Sequence, residues 1–540
     1  MTTSADVIVL GGGLAGCRAA LEARNSGATV MLLAPAQPGQ TGNSSRASGG
    51  FATALPPHDD WQAHYDDIVN GGYGINDPAL VRLVTQNAGA ALESLAAMVQ
   101  GFMASADGFE LKQVPAHDRP RSAQFALGMG HLMSALGDEL TSKEVEIRTG
   151  LTPVELLQDE AGNICGAVTF GASGERIELR CKSLVLATGG CGELFPVTSN
   201  APGTAGEGYA MTLRAGCRLR DMEFIQFTPT AFAAPPDLRG QTIVGSLLSL
   251  PGVQLLNNRQ QRFMQNYDPE NLERADRATL ARAIQREILA GRGSDSGGVY
   301  LDISAVPAEE INQHRPGFLE WLHEHGIDPA KEPLETAPSA HTCLGGVAVD
   351  KNLSAKPGLY VAGEAIGGTH GANRLSSNSL TEANVTGFTA GANAAAHAKN
   401  LAEMPEPAPG GPAVFIKAAE IDSLTAELKQ IMGSAAGVER QQESIDAGID
   451  RLAELMQTFA GEKASDGKPA ASVAVNRILT CQVILAAARL RTESRGCHAR
   501  ADFPERNDAD WLGNIYLTLE NGRPEPEYRP LPKSRGSADN

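Results

Sequence analysis

The chain has 540 residues, a length that corresponds to about three domains and excludes a small single module. Its 45 Lys and Arg residues against 63 Asp and Glu give a net charge of −18, which argues against nucleic acid or an anionic membrane as the main partner. Glycine supplies 59 residues, more than the usual share of roughly 7%, and this indicates many close backbone approaches.

Targeting and cysteine signals are weak. No apolar run is expected to reach the roughly 18 to 20 residues of a membrane span, and the start MTTSADVIVLGGG does not resemble a signal peptide. We therefore expect a cytoplasmic protein. The eight cysteines form no C-x-x-C pair and no zinc, haem or ferredoxin spacing, so we expect reduced thiols and no metal site.

The first elements in chain order are a strand, a glycine-rich turn, a helix and a second strand. Residues 6–10 and 28–33 are short apolar runs, and Gly11-Gly12-Gly13-Leu14-Ala15-Gly16 between them fits G-x-G-x-x-G. This arrangement lets backbone approach a pyrophosphate at a helix N-terminus, so we favour dinucleotide binding over a glycine-rich turn in another doubly wound sheet. Ala34 stands where an acidic residue would hold a ribose, and the motif does not choose between FAD and NAD.

Two later strands also run into glycines. Residues 183–187 lead into Thr188-Gly189-Gly190, and residues 358–363 lead into Glu364; a weaker strand is predicted at residues 168–170. Between them, residues 235–335 are polar, with helical spacing at residues 271–290, which predicts an inserted lid.

The C-terminal quarter has helical patterns after a linker. EMPEPAPGGP at residues 403–412 is typical of a linker, and residues 445–459 and 470–490 have helical spacing. We expect an FAD-type or NAD-type binding domain at 1–234 and 336–402, a capping domain at 235–335, and a helical domain with an irregular tail at 413–540.

The most specific segment is HGANRLSSNSL at residues 370–380. It resembles the HGANR-x-x-SNSL segment of the succinate dehydrogenase, fumarate reductase and L-aspartate oxidase flavoprotein family, and the resemblance extends over nearly the whole chain. Supporting segments are TAGEG at 204–208, DMEFIQF at 221–227, LD at 301–302, HTCLGG at 341–346 and RTESRGCHAR at 491–500. The resemblance implies an α/β fold: a Rossmann-like FAD-binding domain, an inserted α+β capping domain and a C-terminal helical bundle.

The resemblance also implies bound FAD. Membrane-bound members attach it to a histidine, but Asn43 stands at that position, so we expect non-covalent FAD; Arg46 nearby is either a substrate ligand or part of a loop salt bridge. The candidate FAD contacts are Gly11, Gly13, Ala15, Gly16, Ala34, Asn43, Ser44, Ser45, Ser48, Gly49, Gly50, Ala187, Thr188, Gly189, Glu364, Asn373, Ser379 and Leu380.

Hydride transfer requires a clamped substrate whose C–H lies within about 3.5 Å of the flavin. By resemblance, Arg374 and His341 hold one substrate carboxylate, and Arg277 aligns with the family's proton-transferring arginine, although Ala278 departs from the family pattern. A guanidinium fork suits this clamp better than lysine. The predicted catalytic residues are thus Arg277, His341 and Arg374.

Two departures fall where the family binds a second carboxylate. Thr228 replaces a histidine of Q-F-H-P-T, and residues 242–246 (TIVGS) replace T-E-x-x-R, whose acid and arginine relay protons. We keep Thr228 and Thr242 as substrate-binding candidates and expect Arg277 to act electrostatically, since arginine stays protonated. The substrate should keep one acid group with a bulkier or less charged opposite end, so succinate, fumarate and aspartate should be poor substrates.

Three functions remain open. The first is an FAD-dependent dehydrogenase, oxidase or reductase of a small organic acid, using oxygen or an electron-transfer partner. The second is a flavoprotein subunit that needs a separate iron–sulfur partner, and the third is a flavin-binding protein with decayed catalysis. The sequence is compatible with an oligomer.

Overall fold

The structure is a computed structural model that describes residues 3–57, 59–105, 108–243, 245–275, 277–315, 317–408, 418–460 and 472–532. The helices, in chain order, are α1 (Leu14–Asn25), α2 (Asn43–Arg46), α3 (Trp61–Gly71), α4 (Pro78–Met98), α5 (Met129–Ser142), α6 (Glu207–Arg214), α7 (Arg277–Glu287), α8 (Ala308–His314), α9 (Phe318–Glu324), α10 (Asn378–Asn400), α11 (Ala418–Ala435), α12 (Gln442–Ala460), α13 (Ser472–Leu490) and α14 (Asp508–Trp511).

The strands, in chain order, are β1 (Ser4–Leu10), β2 (Val30–Ala34), β3 (Gly50–Ala52), β4 (Ala104–Ser105), β5 (Gly108–Phe109), β6 (Leu111–Lys112), β7 (Ser122–Gln124), β8 (Glu146–Thr149), β9 (Thr152–Gln158), β10 (Ile164–Phe170), β11 (Arg176–Leu186), β12 (Leu219–Arg220), β13 (Ile225–Phe232), β14 (Gln254–Leu256), β15 (Val299–Asp302), β16 (Leu334–Cys343), β17 (Gly346–Val347), β18 (Ser354–Lys356), β19 (Leu359–Val361), β20 (Glu439–Arg440), β21 (Ala499–Arg500), β22 (Gly513–Glu520) and β23 (Arg523–Pro530).

The largest sheet has the order β18-β19-β11-β1-β2-β8; in addition, β10 pairs with β11, and β9 pairs with β10. The four pairings that link β19, β11, β1, β2 and β8 are parallel. Strand β1 is apolar and buried from Val7 to Leu10, as expected for a parallel strand covered on both faces. Because parallel strands share one carboxyl edge, the glycine turns after β1, β11 and β19 lie side by side.

Helices α1 and α10 pack closely on each other. A β-carbon at Gly387 or Gly391 of α10 would collide with the carbonyl oxygen of Ala15 or Ala19 on α1. Only glycine permits this approach, so the two helices cover the sheet as one layer.

The capping sheet has the order β13-β16-β15-β14 and is antiparallel. Its own core contains Phe232, Leu247, Phe263, Ile284 and Leu322. Strand β13 lies entirely before residue 235, and most of β16 lies beyond residue 335, so the sheet crosses both expected domain limits. The division at these two residues stays a prediction.

The helix predicted at residues 271–290 is shorter than expected. Leu272 has a φ of 53° and Ala275 is extended, with ψ 160°, so the regular helix begins only at Arg277. At its other end Gly291, with φ 70°, ends a short π turn. The local backbone conformation at both ends therefore interrupts an apolar spacing that looked continuous.

The C-terminal region contains α11, α12 and α13 and then a β-hairpin of β22 and β23. The hairpin contradicts the expected irregular tail. Asn521 and Gly522 have φ values of 50° and 76°, the left-handed geometry of an Asn-Gly hairpin turn, and Ile515 and Leu517 are buried. The expected domain start at 413, part of the linker and residue 470 lie outside the described residues.

Helix α13 corrects the expectation about apolar runs. An 18-residue window in Ser472–Leu490 has a mean hydropathy of 1.4, which reaches the length and composition of a membrane span. Sixty-one per cent of that window is buried inside the protein, where Ile478, Ile484 and Leu485 join the core. The helix has the burial of a core helix.

Candidate functional site

The first glycine turn brings backbone to the N-terminus of α1. A β-carbon on Gly16 would collide with the carbonyl of Gly11, and one on Gly11 would collide with that of Ala187. Gly13 is the N-cap and lacks a capping side chain. The amides of Ala15 and Gly16 in the first helical turn have no intrahelical acceptor, so the turn offers N–H groups and a positive helix end to a phosphate.

The segment around α2 closes one side of this turn. The Leu14 amide donates to Ser44 Oγ at 3.0 Å, and Ser45 Oγ donates to the Thr41 carbonyl at 3.0 Å. Ala34 lies at the end of β2, where a β-carbon on Gly12 would come within 2.6 Å of its side chain. A larger residue at 34 would therefore crowd the turn.

Asn43 is held by protein contacts at both ends of its amide. Its Nδ2 donates to Asn200 Oδ1 at 2.8 Å, and its Oδ1 accepts from the Ala201 amide at 2.7 Å. An amide is not a nucleophile, which agrees with non-covalent FAD. Arg46 is exposed and its Nη1 is 3.5 Å from the Asn200 carbonyl; it forms no ion pair with any described residue.

The second and third glycine turns meet at Glu364. A β-carbon on Gly190 would collide with the Glu364 carboxyl, and Glu364 Oε1 accepts from the Cys343 amide at 3.0 Å. Burial raises the pKa of Glu364 to about 7. Ala187 joins the turns by donating its amide to the Leu10 carbonyl at 2.8 Å. Thr188 and Gly189, with φ 77°, follow directly.

The N-terminus of α10 lies against the Gly49-Gly50 segment. Ser377, with φ 63°, precedes the helix, and its carbonyl accepts from the Ala52 amide at 3.0 Å. Gly49 has a φ of 85°. Ser379 and Leu380 thus occupy the first turn of α10 beside this segment, and Ser48 is exposed at its start. A second helix N-terminus and a second close backbone approach suit a dinucleotide.

Three basic groups converge on the other side of the site. Burial, and then Arg374 and Arg277, lower the pKa of His341 to about 3. Burial, and then Arg277, lower the pKa of Arg374 to about 10. Arg277 retains solvent access, yet surrounding protein lowers its pKa as well. These mutual effects on the pKa values indicate that Arg277, His341 and Arg374 lie close enough to interact electrostatically.

Arg374 is fixed in place and incompletely satisfied. Its Nη1 donates to the Leu375 carbonyl at 2.9 Å, whereas its buried Nε has no partner. Neither Arg374 nor Arg277 forms an ion pair with a carboxylate of a described residue. Glu364 and Glu382 act on Arg374 only without an ion pair, so an anion could form a direct ion pair here.

His341 is displaced from the regular ladder of β16. Gln226 pairs with Thr342 and Phe227 with Ala340, so His341 is the extra residue of a β-bulge. Bulges redirect side chains, often beside active sites. Its Nδ1 is 2.8 Å from Ser199 Oγ, and its carbonyl accepts from Asn200 Nδ2 at 2.8 Å.

The two threonine candidates differ in position. Thr228 lies in β13, and its buried hydroxyl has no partner. Thr242 forms a bridge with Ala231 and is exposed, and among the described residues no hydrogen bond joins it to the three basic groups. Val244, within the segment aligned with the proton relay, lies outside the described residues.

The sequence did not predict the roles of three residues that hold the site residues in place. Gln226 Nε2 donates to the Arg374 carbonyl at 2.9 Å and to Asn373 Oδ1 at 3.1 Å. Asn200 joins Asn43 to His341, and Ser199 supports the His341 ring. Gln226 stood inside a segment that supports the resemblance; Ser199 and Asn200 carry no sequence signal.

Comparison with known proteins identifies two families that the chain matches and several proteins that it resembles. Residues 6–380 match the family described as FAD binding domain, and residues 425–535 match fumarate reductase flavoprotein C-term. The chain is 34% identical to one subunit of the fumarate reductase (CoM/CoB) of Methanothermobacter marburgensis, over 97% of this chain and 98% of that one.

Two further proteins are similar to this chain over nearly its whole length. L-aspartate oxidase of Caulobacter vibrioides is 35% identical, over 96% of this chain and 97% of that one. The solved structure of Mycobacterium smegmatis Sdh1 in complex with UQ1 is 32% identical and has a TM-score of 0.85, covering 97% of this chain and 94% of that one. FAD is the cofactor of this chain, and the glycine turns and helix N-termini fit it.

Proposed function

We propose, from the premise that this chain belongs to the succinate dehydrogenase, fumarate reductase and L-aspartate oxidase flavoprotein family, that it oxidises or reduces a small organic acid held by one carboxylate. Bound FAD supplies a hydride acceptor or donor at its N5 atom. The observation that carries the proposal is the convergence of Arg374, His341 and Arg277, in which neither arginine forms an ion pair with a carboxylate of a described residue.

Arg374 and His341 would hold the carboxylate together. Arg374 keeps its Nε free for an acceptor because only its Nη1 is used by the Leu375 carbonyl. His341 is neutral near pH 7, since its pKa is about 3. When the Ser199 hydroxyl donates to Nδ1, the proton resides on Nε2, and the ring donates a hydrogen bond to the carboxylate.

Arg277 would act on the reacting carbon through its charge. Ile243 stands where the family's relay carries an acid, and no described carboxylate pairs with Arg277. A guanidinium beside the site stabilises negative charge that develops on the substrate. We keep the prediction that succinate, fumarate and aspartate are poor substrates, because Thr228 supplies no charge for a second carboxylate.

The test is an anaerobic screen of mono- and dicarboxylic acids and amino acids, read by bleaching of the oxidised flavin. At least one monocarboxylate-ended acid should bind and bleach the flavin. Arg374→Ala should weaken binding of every active acid by at least about thirtyfold, because removing one partner of a buried charged contact costs about 2 to 5 kcal/mol.

The matched control is Arg523→Ala, at the exposed start of β23, which should bind acids as the natural protein does. Rapid reduction of the flavin by succinate or aspartate would contradict the substrate proposal. Unchanged binding in Arg374→Ala would contradict the carboxylate clamp.

A second candidate function is a flavoprotein subunit with a separate electron-transfer partner. One relative is named as a subunit of fumarate reductase, and no group of three or more metal-ligating side chains occurs among the described residues. Turnover with dyes but without oxygen consumption would favour this function. Failure of every acid to bleach the flavin would instead favour decayed catalysis.

A further inference from the structure

We propose that the end of the substrate remote from Arg374 is a neutral group that both donates and accepts hydrogen bonds, a carboxamide being the best match, and that Gln226, Thr228 and Ser339 bind it. This inference rests on the proposed function and adds the chemistry of the second substrate end. It is carried by three neighbouring polar oxygens that are buried and have no hydrogen-bond partner.

The side chains of Gln226 and Thr228 point toward the segment that contains Arg374. Successive side chains of a strand alternate between faces, so residues 226 and 228 of β13 share one face. The Gln226 side chain donates to the Arg374 carbonyl at 2.9 Å, which fixes the direction of that face. Thr228 therefore points to the same side of the strand as a side chain that touches the Arg374 segment.

Ser339 extends this row onto the neighbouring strand. Thr228 pairs directly with Ser339 in the β13–β16 ladder, and directly opposed residues project from the same face of a sheet. Ser339 is fully buried, and its hydroxyl has no partner. The two hydroxyls and the Gln226 amide thus form one polar patch.

Gln226 Oε1, which has no hydrogen-bond partner, indicates which ligand group fits the patch. Both hydrogen bonds of its amide use Nε2, so Oε1 remains, and an amide oxygen can only accept. A carboxylate is also acceptor-only and cannot satisfy it, whereas a carboxamide N–H or a hydroxyl can. The Thr228 and Ser339 hydroxyls can donate to the carbonyl of the same carboxamide.

A ligand that pairs with these buried atoms would remove the cost of leaving them unsatisfied. An unsatisfied buried polar group costs about 1 to 3 kcal/mol, and native proteins keep few of them. Three such oxygens on one face of the sheet, next to the segment that carries Arg374, indicate a recognition surface. A butyrate-like apolar end would leave all three oxygens unsatisfied.

The test compares four-carbon acids that differ only at the far end: succinamate, 4-hydroxybutyrate, succinate and butyrate. Dissociation constants are measured from the change in absorbance of the oxidised flavin. Succinamate should bind about tenfold more tightly than succinate or butyrate, which corresponds to about 1.4 kcal/mol. The hydroxyl compound should lie between them.

Two variants at one position sharpen the test. Thr228→Val keeps the shape of the side chain and should weaken succinamate about tenfold while leaving butyrate unchanged. Thr228→His adds a group that can carry charge, so the preference should move toward succinate. Thr85→Val is the matched control, because that hydroxyl donates to the Val81 carbonyl within α4 and should have no effect.

The outcomes separate this inference from the proposed function. Equal or tighter binding of succinate than succinamate in the natural protein would overturn the inference, as would equal weakening of butyrate and succinamate in Thr228→Val. If acids bind in an Arg374-dependent manner without such discrimination, only this inference fails. If no acid binds the natural protein, the proposed function fails first.

Discussion

Glu364 is the residue at which pH should act most strongly on the FAD-binding region. Burial raises the pKa of its carboxyl from 4.5 to about 7, and the carboxyl accepts from the Cys343 amide and lies near Arg374. Between these two pH values the folded chain holds a proton that the unfolded chain has lost. The free energy of unfolding should therefore fall as pH rises from about 4.5 to about 7.

Glu364→Gln tests this contribution. The variant cannot lose a proton, so from pH 5 to pH 8 its free energy of unfolding should decrease less than that of the natural protein, by up to about 3 kcal/mol. Denaturant unfolding at several pH values, both proteins saturated with FAD, is the measurement. Parallel pH profiles for the two proteins would refute the assignment.

At the same scale, the sequence could predict charged ligands better than neutral ones. Arg374 and His341 stood in specific segments, and the structure brings them together with Arg277. The position of Thr228 was also anticipated, but its partner Ser339 was not. Whether a hydroxyl is satisfied depends on tertiary neighbours, and a serine in an apolar strand carries no such information.

Among the elements, the turn from β1 to α1 depends most on the absence of side chains. Gly16→Ala would place a methyl group into the Gly11 carbonyl, whereas the nearest atom to a β-carbon on Gly13 is Ser44 Oγ at 3.2 Å. We expect Gly16→Ala to lower the free energy of unfolding by about 1 to 3 kcal/mol or more, because the core cannot relax around it.

Gly13→Ala is the comparison variant. It should keep most of the stability and instead lower FAD affinity, since it narrows the approach to the helix N-terminus. Melting temperature and flavin content measured on both variants distinguish these effects. Equal loss of stability in the two variants would contradict the steric argument.

The predicted elements were accurate where apolar runs end in glycine. The runs at residues 6–10 and 183–187 lie within or at the ends of β1 and β11. Residues 7–10 and 184–186 are apolar and buried where these two strands pair in parallel. The Asn521-Gly522 hairpin was missed although its turn signal is in the sequence. The break at Leu272 could not be predicted from the spacing of apolar residues, because that spacing does not reveal a single residue with a positive φ.

For the whole molecule, the site is assembled from two layers. Arg374 follows the FAD-binding sheet, whereas Arg277 begins α7, which packs on strands β13 and β16 of the capping sheet. The resemblance implied that Arg374 and Arg277 belong to different domains. The sequence alone could not locate the sheet limits, because β13 and most of β16 lie outside the polar residues 235–335.

Arg277→Gln should separate catalysis from binding. The variant retains Arg374 and His341, so the dissociation constant of the best acid should change by less than about tenfold. Turnover should fall by about a hundredfold or more, as expected when charge stabilisation of a transition state is lost. Arg282→Gln, on the same helix and hydrogen-bonded to Thr279, is the control for helix effects.

Turnover and flavin absorbance titrations on the same preparations provide the measurements. A parallel loss of affinity and turnover in Arg277→Gln would assign that arginine to ground-state binding. Loss in Arg282→Gln of the same size would indicate a general disturbance of α7.

The pairing of β13 with β16 separates two parts of substrate preference: the length of the acid and the chemistry of its far end. Backbone hydrogen bonds keep Gln226, Thr228 and Ser339 at constant mutual spacing, while Arg374 belongs to another part of the chain. The number of carbons that an acid can have depends on the gap between the strand pair and Arg374. The identity of its far end depends on side chains at positions such as 228. On the proposed binding mode, a substitution at position 228 should change which end group is accepted and leave the preferred length of the acid unchanged.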